Sequence, residues 1–147
     1  MKYVALTLLI LSLLSPTTAL ALENLRFKQA QSYKQVQMID FIINHTENSE
    51  IPYVLAEIDL NGDSIDEYII KPESGANCPA FPLCPYYVTA FQKHDPIIIG
   101  KFNAHKMLIS DKKTYGIRQI IVYNTPHNDF TSKTSSWNPY DFSYEAP

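Results

Sequence analysis

From residue 53 to 123 the chain is a series of short apolar stretches separated by turn residues, and this series limits the folds open to it. Tyr53-Val54-Leu55-Ala56-Glu57-Ile58 reads as a strand, and the turn-rich Asp59-Leu60-Asn61-Gly62-Asp63 follows it. Glu67-Tyr68-Ile69-Ile70-Lys71 reads as the second arm of a hairpin. Residues 86–91, 97–102, 107–109 and 116–123 continue as a third to a sixth strand. Aromatic and β-branched side chains suit a pleated, half-buried surface, and ten Tyr and seven Phe are available to cover one. Upstream, a single segment carries a helical period. Ser32-Tyr33-Lys34-Gln35 has the form of a capping box, after which Val36, Ile39, Ile42 and Ile43 recur on one face. The spacing predicts a helix over 33–44, with an earlier start near Leu22 left open, ended by the polar run from Thr46 to Glu50. One helix before a run of strands predicts an α+β fold, with one N-terminal helix packed on an antiparallel sheet of about five to seven short strands.

The head of the chain bounds the folded unit. Met1-Lys2-Tyr3 carries one positive charge, and the apolar run from 4 to 14 is broken only by Thr7 and Ser12. Ser15-Pro16-Thr17-Thr18-Ala19-Leu20-Ala21 then supplies a helix breaker and small residues. These are the three parts of a secretory signal peptide, and the apolar run falls short of the ~20 residues that span a bilayer. Residues 1–21 are expected to be that signal, cleaved after Ala21 or Ala19, and 22–147 a single exported domain, periplasmic or secreted.

Without Lys2 the remaining chain has eleven Lys and Arg against fifteen Asp and Glu. A mildly negative balance argues against nucleic acid, which needs a basic face, and no second apolar stretch would insert in a membrane after signal cleavage. The two cysteines, Cys78 and Cys84, are expected to pair as a disulfide in an oxidising compartment. Their spacing is not the C-x-x-C of a redox pair, and no further Cys or His stands close enough in sequence for a zinc site.

The sharpest motif is Asp59-Leu60-Asn61-Gly62-Asp63-Ser64-Ile65-Asp66-Glu67. Calcium takes about six to eight oxygen ligands, which side chains at alternate positions of a tight loop can supply. Asp59, Asn61 and Asp63 stand at alternate positions, Gly62 eases the turn, and Glu67 can close the coordination sphere. These four are the candidate metal ligands, and calcium, in a structural role, is the one cofactor they suggest. The loop is not an EF-hand, because Ser64 stands where Gly is required and Ile70 where Glu is. Asp, Asn and Gly also make an ordinary turn between strands, and that alternative stays open.

The loop resembles the calcium-binding loop of FG-GAP and VCBS-type repeats, D-x-N-G-D-G-x-x-D between two strands. In that likeness Asp59, Asn61, Asp63 and Glu67 fall on ligand positions and Tyr68-Ile69-Ile70 on the following strand. Ser64 replaces the usual second Gly and Glu67 the usual Asp. One copy in a chain of this length excludes the propeller and integrin-like architectures built from many repeats. The wider order, from Asp59 to Asp63, Cys78 to Cys84 and then Pro85-Tyr86-Tyr87-Val88, is similar to small exported bacterial proteins of uncharacterised function with a single such loop. The resemblance implies address and fold class, and no activity.

No catalytic constellation is legible. His45, His94, His105 and His127 have no ligand-like spacing, the serines lack a G-x-S-x-G context, and four glycines leave no phosphate-cradling loop. Glu57 with Asp59, or Asp63 with Glu67, would serve a hydrolase only in a suitable cleft, and a histidine beside Glu57 and Asp59 would favour one. The expected function is an exported non-enzymatic binding or interaction domain for an unknown protein or envelope component. The alternative is a small extracytoplasmic hydrolase using carboxylates or a metal-bound water. Trp137, Tyr140, Phe142 and Tyr144, in a tail rich in Asn, Ser, Thr and Pro, form the candidate interaction surface. The same aromatics could equally pack as core, or dock as a last edge strand.

Overall fold

Ser32 and Gln35 form the capping box that their spacing predicts, in a computed structural model that describes residues 21–46, 50–74, 77–78, 82–125 and 131–147. The expected signal segment lies outside the described residues except for Ala21, as do 79–81 of the cysteine loop and 127–129 of the tail. Gln35 Oε1 accepts from the backbone N–H of Gln31 at 2.7 Å and of Ser32 at 3.1 Å, while Ser32 Oγ accepts from Gln35 N at 3.3 Å. These bonds use donors that a helix start otherwise leaves unpaired. Helix α1 (Tyr33–Thr46) follows, burying Gln35, Met38 and Ile42. The buried face is turned away from Val36, which stays exposed, while Ile39 and Ile43 pack at its margin.

The helix is internal, not N-terminal, and the residues near Leu22 do not extend it. They form strand β1 (Leu22–Asn24), paired antiparallel with β6 (Lys106–Thr114) in the register Leu22↔Ser110 to Asn24↔Leu108. All three β1 residues are exposed and show no periodicity, so only the neighbouring strand makes this segment extended. Lys28 then bridges Leu55 through two backbone hydrogen bonds before the helix starts.

Strands β2 (Tyr53–Ile58), β3 (Glu67–Pro72), β4 (Cys84–Gln92) and β5 (Asp95–Ala104) form an antiparallel meander, which is the central layer. Alternation of side chains across the pleat gives this sheet two buried faces. Tyr53, Leu55, Tyr68, Ile70 and Tyr87 meet Met38 and Ile42 of the helix. Ile58, Ile69, Val88, Ile99 and Phe102 face the other way, onto Met107, Ile109, Ile120 and Val122 of the second sheet. A register shift between Val88 and Thr89 lets Ile97 and Ile99 share a face with Phe102 and Ala104 despite their odd and even numbers. Gly100 sits in this bulge, where a Cβ would come within 3.0 Å of the Phe102 ring and 3.4 Å of Tyr144 Cβ.

The second sheet has the order β1-β6-β7-β8, with β7 (Ile117–Tyr123) and β8 (Ser132–Ser135), and the short β9 (Trp137–Asn138) and β10 (Ser143–Tyr144) make a separate pair. Helix, central sheet and second sheet thus stack as three layers. The described residues hold ten strands in three sheets instead of five to seven in one. The additional strands are the short β1, β8, β9 and β10, of two to four residues, too short to carry an alternating signal. The tail aromatics do not dock as a last edge strand: Trp137 and Tyr144 lie in the separate β9–β10 pair, and the edge of the second sheet is β8, upstream of them. Cys78 and Cys84 are joined in a disulfide at the margin of the sandwich core.

Candidate functional site

The acidic loop joins β2 to β3 at one open end of the sandwich, and its side chains are turned onto its own backbone. Asp59 Oδ1 accepts from Gly62 N at 2.6 Å and Oδ2 from Ser64 N at 3.0 Å. Asn61 Oδ1 accepts from Asp63 N, and Asp63 Oδ1 from Ile65 N, both at 2.8 Å. The Asn61 amide donates to Asp63 Oδ2 at 2.9 Å and reaches Glu67 Oε1 at 3.5 Å. Such side-chain-to-backbone bonds are how Asp and Asn build turns. Gly62 and Ser64 both take left-handed backbones, φ 85° and 66°, so the position where the resembled loop carries its second Gly does require a conformation that favours glycine. The Gly62 N–H, foremost, holds the Asp59 carboxyl below its ordinary range.

Leu60 fixes the loop to the fold. Its side chain is buried in the sandwich core, its carbonyl accepts from Arg118 N at 2.8 Å, and its N–H donates to Glu67 Oε2 at 2.8 Å. Glu67 opens β3, opposite Ile58, two residues before the core residue Ile69 on the same face of the strand. It is therefore buried. Burial pushes its carboxyl up to about 7; the Leu60 N–H opposes the rise, and the charges of Asp63 and Asp59 add to it.

Beside the loop is a pocket of about 270 Å³. Asn61, Asp63, Asp66, Glu67 and Gln92 form its polar side. Its apolar walls come from Phe91 at the end of β4, Ile97 and Ile99 of β5, Ile117 of β7, and the tail residues Trp137 and Phe142. Three acidic side chains and no basic one line it. Lys113 is the nearest cation to the back of the loop, beside Gly62, and the Arg118 guanidinium is held by Glu23 at 2.8 Å.

The acidic loop and the aromatic tail, separate candidates in the sequence, therefore meet at one pocket. The tail does not act as a unit. Tyr144 is buried, its ring edge-on to Trp137 at 5.6 Å and to Phe102 at 6.3 Å, and its hydroxyl donates to Arg118 O at 2.7 Å. It anchors the β9–β10 hairpin, which sets Trp137 and Phe142 against the pocket. Tyr140 is almost fully exposed and does not line it. Asp59 is also absent from the lining, because both its oxygens are committed to loop N–H groups. Asp66, Phe91, Ile97 and Ile99 are pocket residues that sequence reasoning did not single out, since on paper they are a turn residue and ordinary strand residues.

Glu57 does not join this site. It is held by Lys28 Nζ and Gln35 Nε2, each at 2.6 Å, and lines a different depression with residues 22–26. Neither the depression that Glu57 lines nor the pocket beside the loop includes Asp59 or a histidine. Nor do any three His, Cys, Asp or Glu side chains among the described residues converge as a group that could hold a metal ion. No helix among them is long and apolar enough to cross a membrane. No protein-family profile, curated protein or solved structure matches this chain.

Proposed function

We propose that the chain is an exported, non-enzymatic binding domain whose recognition surface is the pocket between the acidic loop and the tail hairpin. The observation that carries this reading is the pocket's composition: apolar walls with two tail aromatics, an acidic rim, and no lining cation. Such a site favours a ligand with an apolar body and a cationic tip, since aromatic faces and carboxylates both attract cations. Export is supported by the basic, apolar and small-residue parts of the head, by the disulfide, and by the resemblance to small exported single-loop proteins.

Trp137 is the only tryptophan and lines the pocket, so its fluorescence reports occupancy. Titration with 2-phenylethylamine is expected to give a saturable change, and the neutral 2-phenylethanol a clearly weaker one. Asp63→Asn with Asp66→Asn should erase the difference between the two. The absence of a saturable response to either compound would defeat the proposal.

The loop itself is proposed as a structural calcium site through Asp59, Asn61, Asp63 and Glu67. A carboxylate oxygen that accepts one N–H keeps a second lone pair for a cation, and the side chains need only tilt within the turn. Thermal unfolding of residues 22–147 in calcium and in chelator tests this. An ion at about 100 times its dissociation constant adds roughly 2.7 kcal/mol, lost in Asp59→Ala with Asp63→Ala. An unchanged midpoint at millimolar calcium would leave the loop an ordinary turn.

One observation favours the hydrolase alternative: a carboxyl poised near neutrality, Glu67, beside Asp63 at a pocket wall. Turnover of nitrophenyl esters or glycosides that disappears in Glu67→Gln would establish it; lack of turnover at a pocket that still binds would retire it.

A further inference from the structure

The pocket does not end at Phe91. Ile65, Asp66 and Phe91 also line a second depression of about 490 Å³ on the helix side of the central sheet. Its far end is formed by Tyr33 and Lys34 at the start of α1 and by Lys93 and His94 in the β4–β5 turn. Ile65 and Phe91 thus form a saddle between two hollows.

Large exposed apolar side chains gather along this line. Phe142 (70 % exposed) stands at one end, Ile65 (65 %) on the saddle and Tyr33 (82 %) at the other end. Exposed apolar surface of this continuity marks interaction sites. Phe142 has a φ of 50°, a left-handed backbone that a bulky residue adopts at a cost, and strain of this kind gathers where a side chain is held for a task.

The two ends also differ in charge. Asp63 and Glu67 lie at the tail end, Asp66 on the saddle between the hollows, and Lys34 and Lys93 at the helix end. None of these five is in a salt bridge among the described residues. From this juxtaposition we infer that the groove receives an extended segment of a partner protein. A basic side chain of that segment enters the pocket by Trp137, an apolar one rests on Ile65 and Phe91, and an acidic one faces Lys34 and Lys93. The inference rests on the pocket reading above and adds the class of occupant. A segment in β conformation presents alternate side chains on one face, about 13 Å from the first to the fifth residue, which suits two adjoining hollows.

The probes are the blocked pentapeptides acetyl-Arg-Ala-Leu-Ala-Asp-amide and acetyl-Asp-Ala-Leu-Ala-Arg-amide, one for each chain direction. Trp137 fluorescence reads one end of the groove and the His94 ring resonances read the other. With one of the two peptides, both signals are expected to saturate at the same dissociation constant. Replacing the peptide's Asp by Asn should weaken binding roughly threefold, the scale of solvent-exposed ion pairs, and silence His94 while Trp137 still responds. Lys34→Gln with Lys93→Gln should do the same to the charged peptide and leave 2-phenylethylamine unaffected. A Trp137 response to the peptides without any His94 response, in a protein that binds 2-phenylethylamine, would overturn the extended-segment inference and leave the pocket standing. Silence at both residues towards all three ligands would overturn both.

Discussion

Glu67 is a carboxylate whose proton affinity is set by its surroundings. Its carboxylate type and its distance from Asp59 mark it as a candidate ligand. Its burial against Leu60 and the sandwich core is a tertiary fact that raises its carboxyl to about 7 from an ordinary 4.5. A raised carboxyl binds its proton more tightly in the folded state. The extra stability is therefore fully present below about pH 4.5 and lost as pH rises through about 7. A tenfold change in proton affinity is worth about 1.4 kcal/mol, so the loss over that window is at most roughly 3.5 kcal/mol. Solvent at the pocket side of the carboxyl screens it and brings the loss below that ceiling. Glu57 and Asp59 are held low, by the Lys28 side chain and the Gly62 N–H respectively, so their contributions fade only on the acid side of the window. Urea unfolding in chelator should show stability falling between about pH 5 and 7.5, and Glu67→Gln should flatten the profile while its amide oxygen still accepts from Leu60 N–H. A flat wild-type profile would mean that the carboxyl is not raised. Calcium at the proposed loop site would compete with this proton and weaken the slope.

Among the elements, α1 is the one whose start could be read from four letters, because a capping box is local chemistry. What was not legible is that Gln35 also works at a distance. While its Oε1 caps the helix, its Nε2 donates to Glu57 on β2, and Glu57 in turn binds Lys28 in the segment that bridges β2. Gln35 thus fastens the helix start to the central sheet and is almost wholly buried. Gln35→Ala is expected to cost about 2 kcal/mol, a lost cap together with a partly buried bond to a carboxylate left unmade. Ser32→Ala should cost about 1 kcal/mol, since it removes only the cap. Equal losses in the two variants, measured by chemical denaturation, would show that the bond to Glu57 adds nothing. The strands follow the same division between local and distant causes. Every central strand was legible from its β-branched and aromatic content, because these strands are longer and largely buried. β1 and β8 were not, because short, mostly exposed segments become strands there only by pairing with an available edge.

For the whole molecule, the three layers are held by two continuous apolar interfaces, helix on sheet and sheet on sheet, with the disulfide at the margin of the second. The bridge closes a loop with a sequence separation of only 6, which in the loop-entropy picture is worth about 2 kcal/mol. Reduction is accordingly expected to lower the unfolding free energy by about that amount while the far-ultraviolet circular dichroism and the cooperativity of unfolding persist. Loss of cooperative unfolding in reductant would show that the bridge, and not the layers, holds the domain together. What the sequence determined by itself is what short-range physics decides: one capped helix, the main antiparallel strands, a tight acidic turn and a cysteine pair close enough to join. The tertiary structure alone decided that the acidic turn and the tail aromatics share a pocket, that Glu57 belongs elsewhere, and which short segments complete the sheets. Each of these joins residues far apart in the chain, and their meeting depends on how the two sheets stack and where the tail hairpin is anchored by Tyr144.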